Sequence, residues 1–328
     1  MATTALPGLR EIEQAEARIR EHIPPTPLER SPGLSSFLGR EVLLKLEVFQ
    51  PIRVFKIRGA LNKLLLLSDS ALKRGVITAS SGNHGLAIAY ASRKFGIRAV
   101  ICVPENANPQ KVTAIEEQEA EIVRYGGGYD EAYENAVRTA RRRNLTFVHA
   151  FNDRDVIAGQ GTCGLEMARQ APDMDSAVVA IGGGGLISGV AIALKQSLRT
   201  VRVYGAETRA IPSMYESVEE GRMVRVKPKK TIADGMQAAI PGELTFEAVT
   251  RYVNRIGLVD DRQIENAVYD MLTRARVLAE PAGASPLAAL RGPLKDEKGE
   301  KTVLVVSGGN ISVSLLERII SRRLRGSS

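Results

Sequence analysis

The chain reads as an α/β protein built on parallel sheets, and three observations lead there. From about residue 74 onward, short apolar runs alternate with helix-like runs of 10–15 residues, the rhythm of βαβ units. Small, polar or glycine-rich turns stand where apolar runs end: Ser80-Ser81-Gly82-Asn83-His84-Gly85, Gly182-Gly183-Gly184-Gly185 and Ser307-Gly308-Gly309-Asn310. The composition, 44% hydrophobic and 25% charged over 328 residues, is that of a soluble globular chain with room for one large or two modest domains.

Taken in order, residues 9–22 form an amphipathic helix rich in Glu and Arg, stopped by Pro24, Pro25 and Pro27. A strand at 42–47 follows, then a turn from Gln50 into a helix beginning at Lys56. Strands are expected at 76–79, 97–103, 121–125 and 145–150, with helices at 86–95, 109–119 and 130–143 between them. The helix at 155–169 is weakened by Gly159, Gly161 and Gly164. Strand 177–181 runs into the four glycines, helix 186–198 follows them, and 201–206 is a strand. Residues 209–245 read as mixed and loop-rich, 260–279 as largely helical with Asp260 and Asp261 as caps. Strand 302–306 and helix 312–324 close the chain, which has no internal repeat.

Composition excludes several classes. The formal charge of +8 is spread over short clusters, Arg141-Arg142-Arg143 among them, with 5% aromatics and no nucleic-acid motif. A basic surface that attracts anionic substrates is the simpler reading. No apolar run reaches the ~18 residues of a membrane span, and Met1 to Leu6 lack a signal-peptide pattern. Two cysteines, Cys102 and Cys163, suggest no disulfide framework and fit a reducing cytoplasm.

Lys56 is the first candidate for chemistry. It opens a helix, between Phe55 and Ile57 and two residues before Arg58. A helix N-terminus, a nearby cation and apolar neighbours should each lower its proton affinity, which is how a Schiff-base lysine is prepared. Alone, a lysine in a βα turn would be an ordinary surface cation. Gly182–Gly185 offers backbone N–H groups at a helix start, suited to phosphate. It is not the dinucleotide fingerprint, because Ile187 stands where that spacing needs glycine.

In this order the motifs resemble the fold-type II family of pyridoxal-phosphate (PLP) enzymes, and within it the threonine/serine dehydratase and serine racemase branch. The likeness runs from Pro25-Thr26-Pro27-Leu28 to Asn310. It implies a tryptophan synthase β-like pair of parallel-sheet domains with flanking helices, a larger one from residues 1–49 and 150–328 and a smaller inserted one from 50–149. It implies a homodimer with a small amino-acid substrate and neither nucleic-acid nor membrane partners. The chain ends soon after Ser307, so it also implies no appended regulatory domain and no feedback inhibition by isoleucine.

By the same resemblance, Lys56 is the Schiff-base lysine and the base at Cα, with Phe55 beside the cofactor. Gly182, Gly183, Gly184 and Gly185 hold the phosphate, Ser307 with Gly308 meets the pyridine nitrogen, and Asn83 meets the ring oxygen. Ser80, Ser81, Asn83 and His84 form the substrate-carboxylate loop, with Ser81 as acid/base on the face opposite Lys56. Asn152 is expected at the substrate and Glu280 near the ring. The branch's divalent-cation site keeps only Glu207, which is thin ligation for Mg²⁺ or Ca²⁺. Relatives carry Thr-Gly-Ser before Phe-Lys, whereas this chain has Ile52-Arg53-Val54. The implied reaction is β-elimination of L-threonine or L-serine to 2-oxobutyrate or pyruvate plus ammonia. The alternatives are serine racemisation, or dehydration of phenylserine or threo-3-hydroxyaspartate. Arg53 alone speaks for an acidic substrate.

Overall fold

A computed structural model describes residues 5–325; residues 1–4, on which the signal-peptide reading partly rests, lie outside them. Ten strands are formed: β1 (Leu28–Arg30), β2 (Glu41–Leu46), β3 (Val76–Ala79), β4 (Ala99–Val103), β5 (Glu121–Arg124), β6 (Thr146–Phe147), β7 (Ser176–Ile181), β8 (Arg202–Thr208), β9 (Arg255–Val259) and β10 (Lys301–Val306). The helices of the first half are α1 (Leu9–Ile19), α2 (Pro32–Leu38), α3 (Lys56–Leu65), α4 (Asp69–Arg74), α5 (Asn83–Lys94), α6 (Pro109–Glu116) and α7 (Tyr129–Arg143). Those of the second are α8 (Arg154–Gln170), α9 (Gly185–Ser197), α10 (Ser213–Glu220), α11 (Glu243–Tyr252), α12 (Asp261–Asp270), α13 (Pro281–Arg291) and α14 (Val313–Arg325). None of the described helices is long and apolar enough to cross a membrane.

Six strands form one sheet in the order β1-β2-β10-β7-β8-β9, and four form another in the order β5-β4-β3-β6. All neighbours are parallel except β1 and β2. The strands β4 and β7 are buried along their whole length, as parallel strands covered by helices on both faces must be. The loops after β3, β7 and β10 leave the sheets at their carboxyl ends, where open α/β sheets place ligands.

Several expectations are corrected. The strand expected at 145–150 shrinks to Thr146–Phe147, because the chain from Val148 on turns to serve the site described below. The helix expected over 260–279 stops early. After α12 comes a single π-helical turn, Met271–Ala275, and Arg276 then takes the left-handed conformation with φ 59°. The loop-rich stretch 209–245 contains α10 and the start of α11. The strand β9 and the helix α13 were not anticipated; Pro281 and Pro286 hide α13, one at its first turn and one inside it.

The glycines of α8 explain how a helix survives them. A Cβ on Gly159 would stand 2.7 Å from Arg58 O, one on Gly161 2.7 Å from Ile12 Cδ1, and one on Gly164 2.8 Å from Val190 Cα. Helices α3 and α9 therefore cross α8 with backbones nearly touching, and the Ile12 side chain of α1 seats directly on Gly161. Close packing offsets the propensity cost of about 1 kcal/mol per glycine.

Candidate active site

Lys56 is the first residue of α3, as expected. Its Nζ donates to Ala150 O at 2.8 Å and lies 5.2 Å from the Phe55 ring centroid. Burial lowers its pKa to about 8, and among the described residues no carboxylate offsets that. The expected help from Arg58 is absent. Arg58 is fully buried and faces elsewhere, its guanidinium held by Glu47 at 2.7 Å and Glu166 at 2.6 Å. Lys45 joins the same network through Glu166 at 2.5 Å, and Thr26 completes it.

Contacts run from Lys56 around a closed circuit. Phe151 follows the carbonyl that holds Lys56, and its ring lies 2.2 Å from where a Cβ on Gly183 would stand. Gly184, at φ 90°, caps α9 without any side-chain hydrogen bond. The glycine turn is thus forced twice, by conformation and by the packed ring, and it presents an uncapped helix N-terminus. A Cβ on Gly182 would meet Gly235 O at 2.6 Å, and one on Gly235 would in turn lie 3.8 Å from Glu280 Oε1.

Glu280 is buried, and burial raises its pKa, partly countered by the amide of Asn83. Asn83 Nδ2 donates to both its oxygens, at 2.9 and 3.1 Å. Asn310 Nδ2 donates to Asn83 Oδ1 at 2.9 Å and to Ile52 O at 3.1 Å. The circuit then returns to Lys56. Phe55 N–H donates to Ser307 O at 3.0 Å, and Val54 pairs with Gly308 as an isolated bridge. Ser307 is buried at the end of β10. Gly308 admits no side chain, since a Cβ there would lie 2.7 Å from Glu280 Oε1.

Two histidines face this circuit. His84, in the first turn of α5, is buried and its pKa is pushed well below 6.5, by burial first and then by Lys56. Its Nε2 lies 3.4 Å from Val148 O and its Nδ1 has no partner. His149 was not anticipated. Burial lowers its pKa to about 4, Asp153 opposes this and Lys56 adds to it. Its Nδ1 accepts from the N–H of Phe151 at 3.2 Å and of Asn152 at 2.9 Å, shaping the turn between Lys56 and the glycines.

The remaining expected residues fall as follows. Ser80 Oγ accepts from Gly82 N–H at 3.2 Å, and Ser81 stands half-buried in the same loop. Helix α5 begins at Asn83 rather than at 86, so Asn83 and His84 belong to its first turn. Asn152 is turned to structure: its Oδ1 accepts from Leu244 N–H at 3.0 Å at the start of α11. Glu207 is likewise occupied, accepting the N–H of Met214 and of Tyr215, each at 2.8 Å, and burial raises its pKa to about 8. Among the described residues, no group of three or more His, Cys, Asp or Glu is placed to hold a metal.

The donor set suits a phosphorylated pyridine aldehyde. It combines an amine of lowered proton affinity, a glycine turn at an uncapped helix start, a buried serine and an oriented amide on one circuit. The family model for pyridoxal-phosphate-dependent enzymes matches residues 19–308. An L-threonine ammonia-lyase of Thermotoga maritima is 44% identical over 316 residues, 96% of this chain and 79% of that protein. A catabolic L-threonine dehydratase of Staphylococcus aureus is 36% identical over 328 residues, 99% of this chain and 95% of that one. Among solved structures, maize serine racemase superimposes with a TM-score of 0.92 at 33% identity, covering 98% of this chain and 99% of its own.

Proposed function

The chain belongs to the pyridoxal-phosphate-dependent enzyme family, and on that premise we propose that it is an ammonia-lyase deaminating L-threonine and L-serine by β-elimination. The single observation that carries the reading is Lys56, a withdrawn amine with one carbonyl partner and a pKa of about 8. Near neutral pH a useful fraction of it is unprotonated, so the amine could hold the cofactor's aldehyde carbon as a nucleophile and could serve as the base at a substrate Cα. When bound, pyridoxal phosphate supplies an electron sink for the electrons left at Cα.

In this reading the N–H groups of Gly182–Gly185 would hold the phosphate, Ser307 would meet the ring nitrogen and Asn83 would donate to the ring oxygen. Ser80, Ser81 and the start of α5 receive the substrate carboxylate. Lys56 removes the Cα proton, the Cβ–O bond breaks, and the hydroxyl leaves as water on taking up a proton. The released enamine hydrolyses to 2-oxobutyrate or pyruvate and ammonia. A serine at the ring nitrogen, unlike a carboxylate, does not favour its protonation. That suits elimination, in which the leaving group departs with the electrons.

The names of the threonine-deaminating relatives support the substrate class. The likeness to a serine racemase supports racemisation as a second activity, with Ser81 read as the acid/base on the face opposite Lys56. The proposal includes a larger body from residues 1–49 and 150–328 and a smaller one from 50–149, supported by the two sheets, and a cytoplasmic homodimer. The test follows 2-oxo acid and the remaining D and L amino acid together, on threonine, serine, phenylserine and threo-3-hydroxyaspartate. Oxo acid from threonine or serine, reduced roughly 10²–10⁴-fold in Lys56→Ala, is the expected result. Loss of enantiomeric purity without oxo acid would make the enzyme a racemase.

A further inference from the structure

Asn310 ends the Ser307 loop and is solvent-exposed, yet both of its amide contacts point inward. The donors and acceptors around it form a chain with one solution. Ile52 O can only accept, so the Asn310 group facing it at 3.1 Å must be the NH₂. That NH₂ also faces Asn83 at 2.9 Å, so the Asn83 atom there must be its oxygen. The Asn83 NH₂ is thereby turned toward the Glu280 carboxylate, which accepts it at 2.9 and 3.1 Å. An isolated asparagine could present either end of its amide to a ligand; here Asn310 occupies the oxygen, so a ligand on the Glu280 side would meet the NH₂.

We propose that Asn310 is a positioning residue that locks the Asn83 amide with its NH₂ toward the cofactor's ring oxygen. The inference rests on the reading of Asn83 as the ring-oxygen partner. The lock has two ends. Glu280 holds the NH₂ side, and Asn310 holds the oxygen side while tying it to Ile52, four residues before Lys56. The loop that carries Lys56 and the residue that meets the ring oxygen are therefore set by one amide.

The test measures cofactor affinity of the apo chain by equilibrium dialysis, with pyridoxal phosphate and with its 3-deoxy analogue, which lacks the ring oxygen. The proteins are wild type, Asn310→Ala and Asn310→Asp. In Asn310→Asp an acceptor faces two acceptors, Ile52 O and Asn83 Oδ1, and the Asn83 amide turns over. The dissociation constant for pyridoxal phosphate is expected to rise about tenfold or more in Asn310→Asp and about threefold in Asn310→Ala. That for the 3-deoxy analogue should stay within about twofold in both, the signature of coupling to one oxygen. The melting temperature of each apo variant should lie within about 2 °C of wild type, since the residue is exposed.

Equal losses for both ligands would make Asn310 a packing residue and overturn the proposal, as would no loss for either. Wild type binding both ligands equally would overturn the Asn83 reading, and the proposal with it. Wild type binding neither would remove the cofactor site altogether.

Discussion

Three cations fall within six residues of this chain, and the two on α3 make the instructive pair. Arg58 is fully buried and Lys56 is half-buried. Arg58 is surrounded by Glu47, Glu166 and Thr162 and is held above its ordinary pKa, since these carboxylates outweigh its burial. Lys56 has a carbonyl and a phenyl ring, and burial lowers it to about 8. Burial is common to both; what differs is whether a carboxylate answers it. The answered cation keeps its proton and ties α3 to α8 and to the turn that follows β2. The unanswered one has an amine available for chemistry.

The comparison breaks most visibly on the structural side. Glu47→Ala leaves Arg58 short of its partner at 2.7 Å and uncovers a buried charge, which should cost about 3–5 kcal/mol of stability. Chemical denaturation of the apo variant checks this. The Lys56 amine lies outside the network, so kcat of the variant protein that remains folded should fall less than about threefold. A stability loss below about 1 kcal/mol would mean that the network is not acting as a closed unit.

A pH experiment sharpens the same contrast with opposite signs. Lys56 has a folded pKa of about 8 against 10.5 in a free side chain. Folding therefore bears a penalty that is full below pH 8, shrinks as pH rises from 8 to 10.5, and vanishes above. The whole change is about 3 kcal/mol. Glu47 behaves conversely. Burial alone would raise it, but Arg58 and Lys45 hold it at about 2 against 4.5. Its stabilisation is present above pH 4.5 and is lost as pH falls toward 2. Denaturant titrations of apo wild type and Lys56→Met at pH 7.5 and 10.5 isolate the first effect. The difference between the two proteins should narrow by about 2–3 kcal/mol at the higher pH. A constant difference would show that Lys56 does not bear the penalty.

What could be read beforehand follows this division. The placement of Lys56 and its lowered proton affinity were legible because they depend on local features, a helix start and apolar neighbours. The fate of Arg58 was not, because its partners lie 11 and 108 residues away and no spacing rule joins them. A signal did exist. Lys45 and Glu47 interrupt an otherwise apolar strand run, and charges in a strand covered on both faces need partners. Asn152 and Glu207 show contacts that spacing alone does not disclose. Both stand near functional motifs in the chain, yet the Asn152 oxygen accepts an N–H of a helix start 92 residues on, and Glu207 accepts two from the first turn of α10, seven and eight residues on. His149 escaped notice because its work is done on its own turn, through two amides, and leaves no pattern in residue types.

Arg53, the third cation, gives the smallest and most delicate test. It is exposed, so water answers its charge, and neither the logic of Lys56 nor that of Arg58 applies. Its oddity is conformational: φ is 60° in a non-glycine residue, a conformation costing about 1–2 kcal/mol. The turn needs it, because Arg53 O accepts the N–H of Gly309 and Arg53 N–H donates to Gln50 O. Arg53→Gly removes that strain, but it gives the unfolded chain more freedom and gives up a 3.3 Å bond from Nη1 to Val48 O. The net gain should be below about 1 kcal/mol, read as a rise in melting temperature of a few degrees at most. The ratio of threonine to threo-3-hydroxyaspartate activity should stay unchanged, since an exposed guanidinium held to Val48 selects no substrate. A fall in the acidic substrate's kcat/KM alone would move Arg53 from the surface into the pocket, and the substrate class with it.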